Sequence, residues 1–324
     1  MKHKILQLFG AFLLGAILPG LLLNHGNVAT EQSPEATQAP SQENTQVSEQ
    51  ENKIAVLLLD GTIHWMELEN YISGVVLAEM PAEFEQEALQ AQAVVARTYA
   101  LKRQEEGVKH PMGAVCADPA CCQAYLSEAD YRSAGGTDAD VQKIKGAVMS
   151  TAGQVLLYGD TLIEATYFSC SGGKTEKASA VWGTDVPYLQ SVLSPGEEQS
   201  PKYEATVSFS KDVLSELLGI SLSGSPEKWI SMQIYTEGGG VGSLVIAGRT
   251  FSGVELRKLL GLNSTAFTVS ASSHGLTFTT YGHGHRVGMS QYGAEAMAVK
   301  GNTYQQILSH YYHGTRIDKI DALG

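Results

Sequence analysis

From residue 54 the chain reads IAVLLL, then Asp60-Gly61, then TIHWMEL. Two apolar runs joined by a turn pair of this kind predict an antiparallel hairpin. Near Glu67 the alternation gives way to helical spacing, which continues through YISGVVLAEM. Pro81 suits a first helical position, and Phe84, Ala88, Ala91, Val95 and Tyr99 recur at steps of three and four. That pattern predicts a second helix through at least Arg103 with one buried face, so two helices should meet at Glu79-Met80-Pro81.

Further along, GQVLLYGDTLIEATYFSCSGG predicts a hairpin around Gly159-Asp160 that ends in a small-residue loop at Ser171-Gly172-Gly173. YEATVSFSKDVLSELLG and SLVIAGRTFSGVELRKLLG each join a strand to a short helix. Ser210 and Ser252 are the expected N-caps, and Gly261 follows the second helix. Two more strands, AFTVSAS and LTFTTYG, lead into GHGHRVGMSQYGAEAMAVKG and a closing helix around TYQQILSHYYHG. The sum is an α+β fold of mixed helices and antiparallel strands around a groove, over residues 53–318, with an inserted lobe expected over 200–275.

The N-terminus follows different rules. Lys2 and Lys4 precede Ile5 to Leu23, nineteen residues without a charge, long enough to span a bilayer. Asn27 stands where a signal peptidase site would need a small residue, so residues 1–25 read as an uncleaved signal anchor, a transmembrane helix that places the rest outside the cytoplasm. Residues 26–52 are rich in Gln, Glu, Thr, Ser and Pro and lack aromatics, the composition of a disordered tether with an end-to-end distance of roughly 30 Å.

Composition and charge narrow the partners. At 324 residues, 43% hydrophobic and 17% charged, the chain can bury a sizeable core. A formal charge of −12 argues against nucleic acid and against a polyanion held by bulk electrostatics. Among the glutamates before the long helix, Glu83, Glu85 and Glu87 read as charges stabilised by its dipole. Glu79 differs: it follows Val75-Val76-Leu77-Ala78 at a break between elements, and a carboxyl beside apolar neighbours has the raised pKa that a general acid needs.

KHPMGAVCADPACCQAY holds His110, Cys116, Cys121 and Cys122 within thirteen residues. One imidazole and three thiolates suffice for a closed, structural zinc site. The rival in an exported chain with four cysteines is a disulfide from Cys116, whereas adjacent Cys121 and Cys122 would make a strained bridge with each other, so the cluster reads as a metal site first. A Cys170 or Ser171 nucleophile with His285 as base is conceivable, with no third orienting group to name. HExxH, Walker and dinucleotide fingerprints are absent from the sequence.

Taken in order, YISGVVLAEMPAEFEQEALQAQAVVARTYA, ATYFSCSGGKTE, VWGTDVPYLQSV, HGHRVGMSQYGAEAMA and ILSHYYHGT resemble the stage II sporulation protein D family, from about Lys53 to Arg316. The resemblance implies a membrane-anchored lytic transglycosylase outside the cytoplasm. It would cut peptidoglycan glycan strands during forespore engulfment, after an amidase, stage II sporulation protein P, has stripped their stem peptides. Stage II sporulation protein M would complete the complex at the mother-cell membrane. The family's catalytic glutamate falls on AEMP, here Glu79, and Tyr167, Ser169, Ser171, His285, Ser290 and Gln291 would orient the glycan. The cysteine cluster resembles a zinc site of clostridial members, structural and outside the chemistry. Two departures stand out: Arg286 replaces a glycine beside the proposed groove, and Cys170 lies where relatives often carry a hydroxyl. The alternative the resemblance allows is a non-catalytic glycan-binding module, since relatives include amidase enhancers.

Overall fold

The computed structural model describes residues 52–320, so the expected anchor over 1–25 and all but the last residue of the expected linker lie outside the described residues. Within them no helix is long and apolar enough to cross a membrane. The chain opens with β1 (Lys53–Leu57) and β2 (Ile63–Glu67), paired antiparallel across the Asp60-Gly61 turn. It continues through α1 (Leu68–Glu79), α2 (Gln86–Glu106), β3 (Val115–Cys116), α3 (Glu128–Ser133) and α4 (Asp138–Ser150). A second hairpin, β4 (Gln154–Tyr158) with β5 (Thr161–Leu162), turns at Gly159-Asp160. Then come β6 (Tyr167–Phe168) and α5 (Ala178–Trp182).

The next stretch is β7 (Glu204–Ser210), α6 (Lys211–Leu218), β8 (Ile230–Tyr235), β9 (Val241–Ile246), β10 (Arg249–Ser252), α7 (Gly253–Leu260), β11 (Phe267–Ser272) and β12 (Gly275–Tyr281). It forms two antiparallel sheets, β10-β9-β8 and β11-β12-β7. Between them lies a separate hydrophobic core that includes Leu214, Trp229, Leu244, Phe251, Leu256, Phe267 and Phe278. Ser210 and Ser252 accept from Val213 N and Glu255 N as N-caps, and Gly261 ends α7 in the left-handed region. The chain closes with β13 (Met289–Ser290), α8 (Gln291–Val299), α9 (Tyr304–Tyr311) and β14 (Arg316–Lys319), the last pairing back onto β4.

The architecture is α+β, as the periodicity predicts, and mostly antiparallel. Two pairings are parallel instead, β1 with β3 and β6 with β13. The larger core surrounds α2, whose Ala88, Ala91, Ala93, Val94, Val95, Ala96 and Ala100 are buried on every side. Small residues let neighbouring helices approach from all directions, which makes α2 a central helix rather than an amphipathic one. Arg97 is fully buried in its middle and is neutralised by Glu69, with Nε donating to Oε1 at 3.0 Å and a terminal nitrogen to Oε2 at 2.5 Å.

Helix α2 does not start at Pro81. Pro81–Glu85 forms a turn closed by Phe84 N donating to Pro81 O at 3.1 Å, and the helix begins at Gln86. The contacts that hold this turn are tertiary: Phe84 is buried edge-on to Tyr292, with ring centroids 5.1 Å apart. Of the three glutamates, only Glu87 therefore lies in the first turn, where its carboxylate accepts from Tyr304 N at 2.6 Å. Glu83 is exposed, and Glu85 occupies the N-cap without capping through its side chain.

Candidate active site and thiol cluster

Glu79 is the last residue of α1, and Met80 after it is extended, at φ −124° and ψ 138°. The helix thus ends by delivering one carboxyl to a seam between elements. Glu79 is half-buried, and Ala124 N donates to its Oε1 at 2.9 Å. Loss of hydration raises the carboxyl's pKa, while the Ala124 N–H, the Tyr167 hydroxyl and the Gln291 amide partly offset that by favouring the charged form. No other acid contributes to the shift, so among the described residues no second carboxyl perturbs Glu79.

The seam is made by the two glycine-bearing motifs. Strands β6 and β13 run parallel, with Met289 opposite Tyr167 and Ser290 opposite Phe168. Gly288, at φ +82°, permits this approach: a Cβ there would lie 2.1 Å from Thr166 O. Tyr167 then reaches Glu79 and also donates to Gln123 Oε1 at 3.2 Å, while the Gln123 amide donates to Tyr71 at 3.2 Å. Burial, then the Glu79 charge, holds the Tyr167 phenol well above its ordinary pKa, so it stays a neutral donor. Gln291 opens α8 and donates to Glu79 O at 3.2 Å.

The remaining expected contacts divide. Ser169 is half-buried, and its carbonyl accepts from Tyr292 N at 3.0 Å. His285 is half-buried between the rings of Trp182 and Phe168, 5.4 and 5.6 Å away, and its Nδ1 accepts from Val287 N at 3.2 Å. Burial chiefly, with the Arg257 charge, lowers its pKa to about 3, so the ring is neutral. Ser171 and Ser290 are fully buried, so neither hydroxyl is exposed to a ligand. The Ser290 hydroxyl caps α8 through Gly293 N at 3.1 Å, and that of Ser171 donates to Glu197 Oε2 at 2.8 Å. Their hydroxyls hold the two loops in place. Cys170 is also buried, with its thiol raised to about 11 chiefly by desolvation, which leaves little thiolate for a nucleophile.

Arg286 is buried. It holds φ +68°, a left-handed conformation that suits the glycine of the family pattern, and its side chain turns inward. There its guanidinium donates to Ser171 O at 2.7 Å, Lys174 O at 2.6 Å and Gly238 O at 2.8 Å, and pairs with Glu176 at 3.2 Å. Arg286 thereby clamps the SGGKTE loop to the turn after β8.

The four donor atoms of His110, Cys116, Cys121 and Cys122 lie within 4.8 Å of one another, and the cysteines form no disulfide. His110 Nε2 is 3.4 Å from Cys121 Sγ and 3.5 Å from Cys122 Sγ. Tetrahedral zinc with ordinary bond lengths would set each N···S separation at about 3.6 Å. Three thiolates and one imidazole in this arrangement fit a closed zinc site, and the geometry favours metal over disulfide. The cluster also abuts the seam. Cys122 is followed directly by Gln123 and Ala124, the two residues that hold Tyr167 and Glu79. Sequence reasoning passed over both, and a backbone N–H like that of Ala124 has no residue signature.

Fold and site together define an α+β protein with one glutamate at the meeting of two glycine loops, braced by a thiol-rich cluster. The chain belongs to the stage II sporulation protein D family. A family profile described as stage II sporulation protein (SpoIID) matches residues 60–158. The chain is 43% identical over 259 residues to stage II sporulation protein D of Bacillus subtilis (strain 168), covering 79% of this chain and 75% of that protein. Its counterpart in Bacillus amyloliquefaciens is 40% identical over the same shares. The amidase enhancer of Bacillus subtilis (strain 168) is 30% identical over 303 residues, 76% of this chain and 40% of that protein.

Proposed function

We propose that this sporulation-family protein is a lytic transglycosylase that cuts the muramic acid to glucosamine bond of peptide-stripped glycan strands. The observation that carries this reading is the solitary, partly dehydrated Glu79. A hydrolytic glycosidase needs two carboxyl groups, one for the leaving oxygen and one for water or covalent attack. A transglycosylase needs one, because the sugar's own 6-hydroxyl is the nucleophile. Protonated Glu79 would donate to the glycosidic oxygen and then, as carboxylate, accept the 6-hydroxyl proton, leaving a 1,6-anhydromuramic end. Ala124 and Tyr167 hold the carboxyl and Gln291 the carbonyl of the same residue, and Tyr167, Ser169 and His285 are the residues left available to the glycan.

The surroundings of this activity are part of the same proposal. Residues 1–25 anchor the chain in the mother-cell membrane, and the tether carries the domain to the wall between the membranes during engulfment. Stage II sporulation proteins P and M are its partners, the first supplying stripped strands. Zinc held by His110, Cys116, Cys121 and Cys122 stiffens the loop that carries Gln123 and Ala124 and takes no part in bond cleavage. The name of the amidase enhancer relative favours a second reading, in which the groove binds glycan for an amidase without cutting it. Mass spectrometry of products from stripped strands separates the two. The parent protein should release anhydro-ended fragments and Glu79→Gln none; intact strands with the parent, or equal release by the variant, would refute the proposal.

A further inference from the structure

In a chain with a formal charge of −12, an arginine has many carboxylates to choose from. Arg97, Arg103, Arg132, Arg249, Arg286 and Arg316 each form an ion pair. Arg257, the one remaining arginine, forms none among the described residues. It lies in α7, half-buried, and its single hydrogen bond runs from Nε to Asn263 O at 3.3 Å. That carbonyl also accepts from Gly284 N at 3.0 Å, which sets the guanidinium against the GHGH loop. Among the described residues the terminal nitrogens of the fork have no acceptor.

Dehydrating a guanidinium without a counter-charge costs free energy, so a half-buried, unpaired one beside the GHGH loop points to an anion supplied from outside. Its surroundings are cationic or neutral. His283, with Nδ1 buried and unpartnered, stands beside it. Burial, then the charges of Lys202 and Arg257, keeps that imidazole neutral, with a pKa of about 4. The field of Arg257 also reaches His285, which packs on Phe168 next to Tyr167. The unpaired charge thus lies beside the GHGH loop, whose His285 packs on Phe168, the neighbour of Tyr167.

A planar fork matches a carboxylate. Resting on the substrate reading above, the chemistry of the strand supplies one. A muramic residue with its stem peptide carries a neutral lactyl amide. Hydrolysis of that amide releases the peptide's amine and leaves one lactyl carboxylate on the sugar. We propose that Arg257, with His283 beside it, is the subsite that reads this lactyl carboxylate and so selects stripped strands. The low overall affinity of an acidic protein for polyanions is then compatible with recognition of a single carboxylate at a fixed place.

The test is a binding titration with the full chain in detergent, carrying Glu79→Gln so that strands persist. The probes are a stripped glycan oligomer and the same oligomer with its lactyl carboxylates converted to methylamides. Capping should weaken binding by about tenfold, the worth of a charge-assisted bidentate contact. Arg257→Met should bind the stripped oligomer as weakly as the parent binds the capped one, with no further loss on capping. Arg257→Lys, which keeps the charge and loses the fork, should fall between. Equal binding of both oligomers by the parent overturns the proposal, as does a capping effect that survives in Arg257→Met or, should that variant not fold, one undiminished in Arg257→Lys. The readout needs no turnover, so failure of the Glu79 assignment appears separately, in the product analysis.

Discussion

Replacing Arg286 with glycine restores the residue of the family pattern at a backbone position already shaped for it, and stability should nevertheless fall. The side chains of Arg286 and Glu176 are 2% and 1% exposed, and three carbonyls from two separate segments also accept from the guanidinium. Breaking a buried pair from one side costs about 3–5 kcal/mol, because the partner charge is stranded. Glycine recovers about 1 kcal/mol of strain at φ +68°. The net loss for Arg286→Gly is therefore roughly 2–4 kcal/mol, on the order of 5–15 °C in melting temperature for a domain of this size. Adding Glu176→Gln removes the stranded charge and should return part of the loss, since Glu176 still has Thr236 and Gly240 as donors. Urea unfolding of the parent, both single variants and the double variant closes the cycle. An Arg286→Gly protein as stable as the parent would refute the clamp.

Three further outcomes follow from the site. Tyr167→Phe removes a hydrogen bond that favours charged Glu79, so the acid's pKa rises further; because the protonated acid is the active form, the alkaline limb of the kcat/KM profile should move to higher pH, and a limb that stays or moves down contradicts the role. Cys122→Ser should lose one bound zinc per chain by metal analysis, lower the melting temperature by about 5 °C or more, and reduce cleavage through Ala124 and Gln123, whereas a metal-free parent containing a disulfide would exclude the site. His283 and His285 have folded pKa values of about 4 and about 3, below the 6.5 of a free imidazole, so the unfolded chain binds more protons between these limits. Their contribution is complete above pH 6.5 and is lost as pH falls toward 4, and His283→Gln should flatten the slope of melting temperature against pH in that window.

Where the fold was legible in the sequence, the cause is local chemistry. Asp60-Gly61 and Gly159-Asp160 make turns, Ser210 and Ser252 cap helices, and Gly261 ends one, all through bonds within a few residues. The capping box of Thr137 and Asp140 before α4 is a signal of the same kind. What was not legible depends on distant partners. The turn that puts the start of α2 at Gln86 rather than Pro81 is held by a ring 208 positions further on, Tyr292 packing on Phe84. The parallel seam of β6 and β13 has no local signature, since two-residue strands carry no periodicity. Ser171 and Ser290 resemble ligand contacts in sequence because a hydroxyl that caps a helix and one that meets a sugar are the same residue type; burial alone distinguishes them.

The same distinction bears on why one carboxyl, among so many in an acidic chain, stands apart. Glu79 is held by Ala124 from the segment after the thiol cluster, by Tyr167 from β6 and by Gln291 from α8, three segments that meet only in the folded chain. The contacts made to the carboxyl itself favour the charged form, yet burial outweighs them and the pKa still lies above that of a free glutamate. A carboxyl held by donors and dehydrated at once is fixed in orientation without being locked into ionisation, which is what the proposed role of giving and then taking a proton requires. Ala124 stands two residues after Cys122, so on the proposed zinc site its ordering would depend in turn on the cluster. Removal of metal should therefore act on Glu79 through its position, and the proton inventory of the reaction should be unchanged in whatever activity remains.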